Sequence, residues 1–382
     1  MDTTFIYYKP VTGKNNIGRR NEKTILSNLL SQGENVLIYE PPKTGKTSLV
    51  QQVLRDMRIA GRQFTAAEIT LLDIRRTEDF LIRMGSALIR TRATTPEEYD
   101  RIVRECLPDT HFVFDPARYA DDDSVLSLSW SIDENDIRSI FCLPYRLAAA
   151  GGVPAIVILD EFQNICFLDG WEKILRIFED VLKTGGSGLC SFVFMGSKVN
   201  AMKHIFKAEG YFHRLVNHIP LNPIEAREIT DFIVRGFLTT GKVIDRDLMM
   251  NVCKRFHCNI WYINHFASIC DHLTKGFITD ATLEDALGML LSIHEVRFKD
   301  IASDLTGFQA SLLKATLDGY KRFSSAEVIE RYGLNSSANV RRLKDALCKK
   351  EILTFDEKDE PVLLDPLFEY WAEKYFLQPK KI

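Results

Sequence analysis

The sequence predicts an α/β fold in which a parallel β-sheet core is followed by an α-helical lid and a C-terminal winged-helix domain. Three observations support this prediction. A short apolar strand runs into a Gly/Pro loop and a helix at 35–50, a second apolar strand ends in two acidic residues at 160–161, and amphipathic helices follow from Pro223 onward. The predicted domains are 1–222 (with an insertion or small hairpin at about 91–135), 223–300 and 301–382.

Length and composition set the broad class of the protein. A chain of 382 residues exceeds one ordinary domain, and 46% apolar with 26% charged residues is typical of a globular protein. The net charge of −3 excludes a strong overall attraction to nucleic acid or anionic lipid, so either partner would need a local patch. No signal peptide is visible and no apolar run approaches the roughly 20 residues of a membrane span. We therefore expect a cytoplasmic protein that does not bind membranes.

Eight scattered cysteines are expected to be reduced thiols. One group of Cys and His residues within 253–272 is worth testing as a metal site, but it contains no C-x-x-C pair. Its spacing fits core and surface positions of two helices, so we expect no zinc there. The members of this group are Cys253, His257, Cys258, Cys270 and His272.

The strand, loop and helix at 35–50 predict a phosphate-binding loop. Backbone N–H groups at the start of the helix would point at an anion, and Gly45 lets the backbone approach it closely. Lys46 would reach the terminal phosphates, and Thr47 would offer its hydroxyl to Mg²⁺. The alternative is a chance GKT in a surface loop. The loop residues expected to bind nucleotide are Pro42, Lys43, Thr44, Gly45, Lys46, Thr47 and Ser48.

Glu40 occupies the position at which the loop motif has its first glycine. We expect this side chain to point away from the phosphates, because Gly45 carries the tight turn. If the carboxylate pointed inward instead, its charge would repel a triphosphate and weaken ATP binding.

The apolar strand at 155–159 ends in Asp160 and Glu161, which predicts the second half of a nucleotide site. The strand would deliver Asp160 to Mg²⁺ at its C-terminal edge, and Glu161 could polarise the attacking water as a general base. Any buried strand can end in acidic residues, but the upstream GKT loop favours the functional interpretation.

Together these motifs resemble the archaeal-type ATPases, a P-loop NTPase family close to the AAA+ and STAND ATPases. The resemblance rests on a Gly18-Arg19-x-x-Glu22 box, on the GKT loop and on the run Asp160-Glu161-Phe162-Gln163. In the family the box lies near the adenine, which implies that role for Ile17, Gly18 and Arg19. The lid of the family often places a Gly-x-Pro or an Arg against the nucleotide, and the corresponding turn here is His257-Cys258-Asn259-Ile260-Trp261.

The resemblance implies two further site residues. Ser197, the small polar residue that ends the predicted strand at 190–197, would sense the γ-phosphate, and the alternative is a cap for the next helix. Arg214 would reach a γ-phosphate in its own or a neighbouring subunit, and the alternative is an ordinary surface arginine.

The segment from about Thr306 predicts a winged helix with a basic third helix and a β-hairpin wing. If the domain binds DNA, the third helix would enter the major groove. The acidic wing tip at 356–360 and the balance of charges argue against DNA, and the alternative is a packing or protein-contact module. The candidate DNA contacts are Ser336, Asn339, Arg341 and Arg342.

The sequence thus predicts ATP binding with slow, Mg²⁺-dependent hydrolysis to ADP, in which the nucleotide state acts as a switch on the lid and the winged helix. Expected partners are ATP or ADP and a protein partner or second copy, with DNA possible. The alternatives are a nucleotide-binding scaffold with little turnover and a DNA-binding regulator.

Overall fold

The computed structural model describes residues 4–121, 124–186, 188–207 and 210–376. The chain divides into two compact units. The first unit contains 1–19, 41–48 and 222–382, and the second contains 20–40 and 49–221. The N-terminal segment and the phosphate loop therefore group with the C-terminal half of the chain.

The described residues form the helices and strands given below, with two short 3₁₀ helices at Gly13–Asn15 and Phe162–Phe167. The strands are β1 Val36–Tyr39, β2 Thr65–Thr70, β3 Phe112–Phe114, β4 Leu126–Leu128, β5 Ala155–Asp160, β6 Cys190–Gly196, β7 Asn217–His218, β8 Val243–Ile244, β9 Phe277–Ile278, β10 Leu353–Phe355 and β11 Pro361–Leu363. The helices are α1 Arg20–Gln32, α2 Lys46–Ile59, α3 Thr77–Arg90, α4 Pro96–Cys106, α5 Pro116–Asp121, α6 Glu134–Gly151, α7 Trp171–Thr184, α8 Val199–Phe206, α9 Ala226–Thr239, α10 Arg246–Arg255, α11 Ile260–Leu273, α12 Asp280–Ser303, α13 Gly307–Leu317, α14 Ala326–Tyr332, α15 Ser337–Lys349 and α16 Pro366–Tyr375.

The second unit is built on a five-stranded parallel sheet with the order β2-β5-β6-β1-β7. Its central strands are apolar throughout because both faces of the sheet are covered. In β5, Val157 packs into one hydrophobic cluster and Ile156 and Ile158 into another, as the alternation of side chains along a strand requires. Since all strands are parallel, the carboxyl ends of β1, β5 and β6 lie along the same edge. This edge carries Asp160, Glu161 and Ser197, whereas Arg214 precedes β7 and lies toward the opposite, amino edge of the sheet.

The predicted core strands are present, and two of them are shorter than expected. The apolar and β-branched run at 64–73 predicts a strand, but β2 stops at Thr70. The run at 215–221 predicts another, but β7 contains only Asn217 and His218. β7 lies at the edge of the sheet and pairs with β1 alone, so only two of its residues have ladder partners.

The insertion at 91–135 contains the predicted hairpin and two helices that the prediction lacked. β3 and β4 pair antiparallel, from Phe112 opposite Leu128 to Phe114 opposite Leu126. α4 begins with a capping box between Thr95 and Glu98, in which each side chain bonds the backbone N–H of the other residue.

The first unit combines the lid helices α9–α12 with the winged-helix elements α13–α16 and β10–β11 in one hydrophobic core. A two-stranded parallel sheet of β8 and β9 was not predicted, because two-residue strands leave no periodic pattern. The N-terminal segment joins this core through Phe5, which packs against Phe237. Within the described residues, no helix combines the length and the apolar character that a membrane span requires.

Candidate functional site

The phosphate loop lies between β1 and α2, as predicted, and α2 begins at Lys46. Lys46 is 7% exposed, and its Nζ donates to the carbonyl of Pro41 at 2.9 Å. The hydroxyl of Thr44 donates to the same carbonyl at 2.9 Å. Gly45 has φ +90°, a left-handed conformation that glycine adopts without strain. The loop thus ends at a helix N-terminus, where backbone N–H groups and the macrodipole favour an anion.

The Ile17-Gly18-Arg19 box is bonded into the same unit as the loop. The guanidinium of Arg19 donates to the carbonyl of Thr44 at 2.9 Å and to that of Asn222 at 2.8 Å. The N–H of Gly18 donates to Glu228 at 3.1 Å, and Ile17 packs against the core of the unit. Arg19 therefore stabilises the loop backbone through its hydrogen bond to Thr44. A contact of the Ile17-Gly18-Arg19 box with adenine stays a prediction.

The acidic residues at the end of β5 lie in the second unit. The N–H of Glu161 donates to the carboxylate of Asp160 at 2.9 Å. Oε2 of Glu161 accepts the hydroxyl of Ser197 at 2.6 Å and the side-chain amide of Gln163 at 2.5 Å. Glu161 has φ +53°, an uncommon conformation for a residue with a side chain. Two donors therefore hold the carboxylate of the candidate general base.

Gln163 is a candidate positioning residue that the sequence identified only as part of a family motif. It is 3% exposed, so its amide is fixed inside the unit. A Cβ at Gly196 would lie 2.6 Å from Oε1 of Gln163 and 2.4 Å from Cγ of Met202, so a side chain there would force these two side chains to move. Glycine at the end of β6 thus makes room for the amide that contacts Glu161.

Ser197 was predicted either as a γ-phosphate sensor or as a helix cap. α8 begins at Val199, and the residue at its N-cap position is Lys198 rather than Ser197. The hydroxyl of Ser197 instead donates to Glu161. This contact places Ser197 beside the candidate general base, and phosphate sensing by this hydroxyl stays a prediction.

Arg214 is exposed and lies three residues before β7, with φ +60°. An exposed guanidinium at this place is accessible to a neighbouring subunit. Its predicted role in binding a γ-phosphate remains a prediction.

Glu40 is engaged by the backbone of its own unit. Its carboxylate accepts the N–H of Leu221 at 3.2 Å, and its own N–H donates to the carbonyl of Gly196 at 3.3 Å. The side chain that replaces the first glycine of the motif therefore connects β1 to the segment after β7.

We expect Glu40→Gly to lower the free energy of unfolding by about 1–3 kcal/mol, because the N–H of Leu221 loses a charged acceptor. Nucleotide affinity should stay within about threefold of wild type. Chemical denaturation and titration with a fluorescent ADP measure the two effects, with Glu357→Gly on the exposed wing tip as a control. Binding tightened about tenfold by Glu40→Gly would instead identify Glu40 as a brake on nucleotide binding.

Among the described residues, three potential metal ligands come together at His111, Asp133 and Asp136, not in the Cys/His group at 253–272. The Asp133 and Asp136 side chains form a capping box at the start of α6. The carboxylate of Asp136 also accepts the backbone N–H and the ring Nδ1 of His111, each at 2.8 Å. These hydrogen bonds explain why the three side chains lie together at the start of α6. The eight cysteines are free thiols.

The His111–Asp136 pair predicts a pH-dependent contribution to stability. The hydrogen bond to Asp136 raises the pKa of His111 above its ordinary 6.5. Burial acts to raise the pKa of Asp136, but hydrogen bonds from His111 and Asp133 lower it overall. A raised histidine pKa stabilises the fold fully below the unfolded pKa, and this contribution disappears as the pH rises through the folded pKa. Denaturation at about pH 5.5 and about pH 8.5 should therefore show a larger destabilisation by His111→Gln at the lower pH than at the higher pH.

In the winged helix, two of the four candidate DNA contacts have local roles. Ser336 caps α15 by accepting the N–H of Asn339, and the amide of Asn339 donates to the carbonyl of Leu334. Arg341 and Arg342 are exposed.

The acidic wing also binds basic residues of its own domain. Lys344 of α15 pairs with Asp359 at 2.7 Å, and Lys321 pairs with Glu360 at 2.7 Å. The positive charge available to phosphates on this face is thereby reduced.

Comparisons with known proteins agree with this architecture. A family described as a probable winged helix domain matches residues 296–374. The Walker-type ATPase PABY2304 of Pyrococcus abyssi superposes with a TM-score of 0.67 at 14% identity, over 96% of this chain and 99% of that chain. The ORC2 protein of Aeropyrum pernix in its ADP form superposes with a TM-score of 0.51 at 13% identity, over 95% and 93% of the two chains. No curated protein matches the sequence. The chain therefore has the predicted fold of the archaeal Walker-type ATPases, a P-loop core with a C-terminal winged helix domain.

Proposed function

We propose that this protein binds ATP and hydrolyses it to ADP and phosphate in a Mg²⁺-dependent reaction. One observation carries the proposal: β1, β5 and β6 run parallel with β6 between the other two, and each is followed by the residues the reaction needs. β1 leads into the GKT loop, β5 ends in Asp160 and is followed by Glu161, and Ser197 follows β6. The fold shared with a Walker-type ATPase supports the same activity.

The phosphate loop would bind the triphosphate. The N–H groups at the start of α2 supply donors, and the Lys46 ammonium supplies a positive charge once it exchanges the Pro41 carbonyl for a phosphate oxygen. Ile17, Gly18 and Arg19 would form the adenine side of the site, with Arg19 also holding the loop through Thr44. Side chains of Lys43, Thr44 and Ser48 are engaged within the unit, so their backbone N–H groups are the expected phosphate donors.

Thr47 and Asp160 would hold Mg²⁺. A hydroxyl and a carboxylate are the hard oxygen ligands that this ion prefers, together with phosphate oxygens and water. Bound there, Mg²⁺ would neutralise charge on the phosphates. The hydrogen bond from the Glu161 N–H orients the Asp160 carboxylate, and a carboxylate has lone pairs for more than one partner.

Glu161 would take a proton from the attacking water as the water oxygen bonds to the γ-phosphorus. The bond from that phosphorus to the β–γ bridging oxygen breaks, which releases ADP and phosphate. Arg214, which lies toward the amino edge of the sheet, would stabilise the charge that develops on the γ-phosphate bound by a second copy.

Ser197 would connect this chemistry to a switch. A hydroxyl has a single proton to donate, so Ser197 can bond either the Glu161 carboxylate or a γ-phosphate oxygen at one time. Arrival of the γ-phosphate would therefore remove one of the two donors that hold Glu161. The state of the nucleotide would then control the freedom of the general base.

Phosphate release by the purified protein, with ATP and Mg²⁺ in excess, tests the proposal. We expect steady release that stops when Mg²⁺ is chelated. A protein that binds ATP but releases no phosphate beyond one equivalent would instead be a nucleotide-binding scaffold. Titration with random duplex DNA at low salt measures the DNA alternative, and the charge pairing of the wing leads us to expect weak binding.

A further inference from the structure

Lys43 has a backbone conformation that its residue type does not favour. Its φ is +70°, in the left-handed region, where a Cβ approaches the following carbonyl. Gly45 also has a positive φ, but glycine adopts it at no steric cost. A non-glycine residue in this region persists when its surroundings hold it there. Something outside the loop backbone must therefore stabilise Lys43.

The side chain of Lys43 is anchored on the lid. Its Nζ lies 3.8 Å from the ring centroid of Trp261 and 5.2 Å from that of Tyr262, both at the start of α11. An ammonium over a tryptophan face is the most favourable cation–π arrangement, and partial burial strengthens it. Burial and the nearby Arg297 lower the pKa of Lys43 to about 8, so the amine stays mostly protonated at neutral pH.

Side-chain hydrogen bonds hold the start of α11, the helix that carries Trp261 and Tyr262. Asn259 caps α11 by accepting the N–H groups of Trp261 and Tyr262 at 3.1 and 3.2 Å. The hydroxyl of Tyr262 donates to Asp365 at 2.9 Å and accepts from Arg297 at 3.1 Å. Asp365 is itself the cap of α16 and pairs with Arg297 at 2.5 Å. Trp261 and Tyr262 are thus held by the ends of two helices.

The Trp261 ring is also enclosed by other rings. Tyr7 and His265 pack edge-on, at 5.7 and 5.3 Å between centroids, and His294 packs tilted at 5.9 Å. Tyr7 comes from the N-terminal segment and stacks on His265 at 4.1 Å. The ring that receives the Lys43 ammonium therefore has a defined position.

We infer that Trp261 is a positioning residue for nucleotide binding: through the Lys43 side chain it holds the phosphate loop in the left-handed turn that directs its backbone N–H groups. This inference rests on the proposed function, because it assumes that the loop binds phosphate. The geometry gives Trp261 a role in the lid that requires no contact with the nucleotide. Lys43 and Trp261 are 218 positions apart in the chain, so the contact depends on the fold.

The test uses a rescue that only this role predicts. Trp261→Ala in the full-length protein should weaken binding of a fluorescent ADP about tenfold, which corresponds to about 1.4 kcal/mol. Adding Lys43→Gly should bring the affinity back to within about threefold of wild type, because glycine adopts the left-handed turn unaided. Adding Lys43→Ala should give no rescue. Alanine lacks both the ammonium that contacts Trp261 and the freedom of glycine to adopt the left-handed turn.

Controls separate this role from a general effect on folding. Trp130→Ala removes a tryptophan that is 74% exposed and should leave the affinity unchanged. Trp261→Phe keeps an aromatic face with a weaker cation–π interaction and should lie between wild type and Trp261→Ala. Unchanged affinity in Trp261→Ala, or equal affinities for the Gly and Ala double variants, would overturn the inference.

A nucleotide-free measurement distinguishes failure of this inference from failure of the proposed function. Amide hydrogen exchange of residues 41–48 should be faster in Trp261→Ala than in wild type, whether or not the protein binds nucleotide. Faster exchange in a protein that binds no ADP would refute the proposed function but support the role of Trp261 in holding the loop. Unchanged exchange and unchanged affinity in a protein that does bind ADP would refute the role of Trp261 and leave the proposed function intact.

Discussion

Replacing Glu161 by Gln is expected to lower ATP turnover by about 10²–10⁴-fold while ATP affinity stays within about threefold of wild type. The amide keeps the size of the carboxylate and can still accept hydrogen bonds from Ser197 and Gln163, so the local structure should persist. An amide cannot take a proton from water at neutral pH. The loss should therefore fall on the chemical step rather than on binding.

Two assays on the same preparation measure this effect. Phosphate release under saturating ATP reports turnover, and titration with a fluorescent ATP analogue reports affinity. Glu357→Gln, at the exposed tip of the wing, provides the same chemical change away from the candidate site and should leave both values as in wild type. Unchanged turnover in Glu161→Gln would remove Glu161 from the mechanism.

Lys46→Ala is expected to weaken ATP binding by about 10²-fold, and turnover should fall with it. The ammonium is nearly buried and is bonded to the loop carbonyl of Pro41, so it is already desolvated and held inside the loop. Alanine leaves the phosphates of a bound nucleotide without this charge in a poorly solvated place. The effect should be larger for ATP than for ADP, because the lost contact is to the terminal phosphates.

Isothermal titration with ATP and with ADP measures the two affinities. Lys275→Ala, an exposed lysine in the turn before β9, is the matched control and should bind as wild type does. Equal affinities of Lys46→Ala and wild type would contradict the assignment of the phosphate loop. The pattern of effects also separates the roles, since Lys46→Ala should impair binding and Glu161→Gln should impair turnover alone.

The local sequence was sufficient to predict the strands and helices that carry these residues. An apolar run that ends in a loop or in acidic residues identifies β1 and β5 because a strand buried on both faces needs continuous apolar side chains. Amphipathic spacing and caps predict helices at 77–90 and 326–332, and α3 and α14 have these bounds because both signals are local properties. The two halves of the site could be recognised for the same reason.

The insertion and the small elements depended on the tertiary structure. β8 and β9 contain two residues each and exist only through their pairing with each other, which periodicity along the chain does not encode. The capping box of Thr95 and Glu98 was a readable local signal for α4, although the prediction did not use it.

Local patterns were enough to indicate which residues could carry the chemistry, because the motifs and the ends of apolar strands can be read from neighbouring positions. The tertiary structure decided what each side chain contacts. It joined Glu161 to Ser197, Glu40 to Leu221, and the ammonium of Lys43 to the ring of Trp261. Each of these contacts joins residues that are far apart in the sequence. Packing and the need to satisfy buried polar groups determine which residues meet, and the local sequence pattern does not show this.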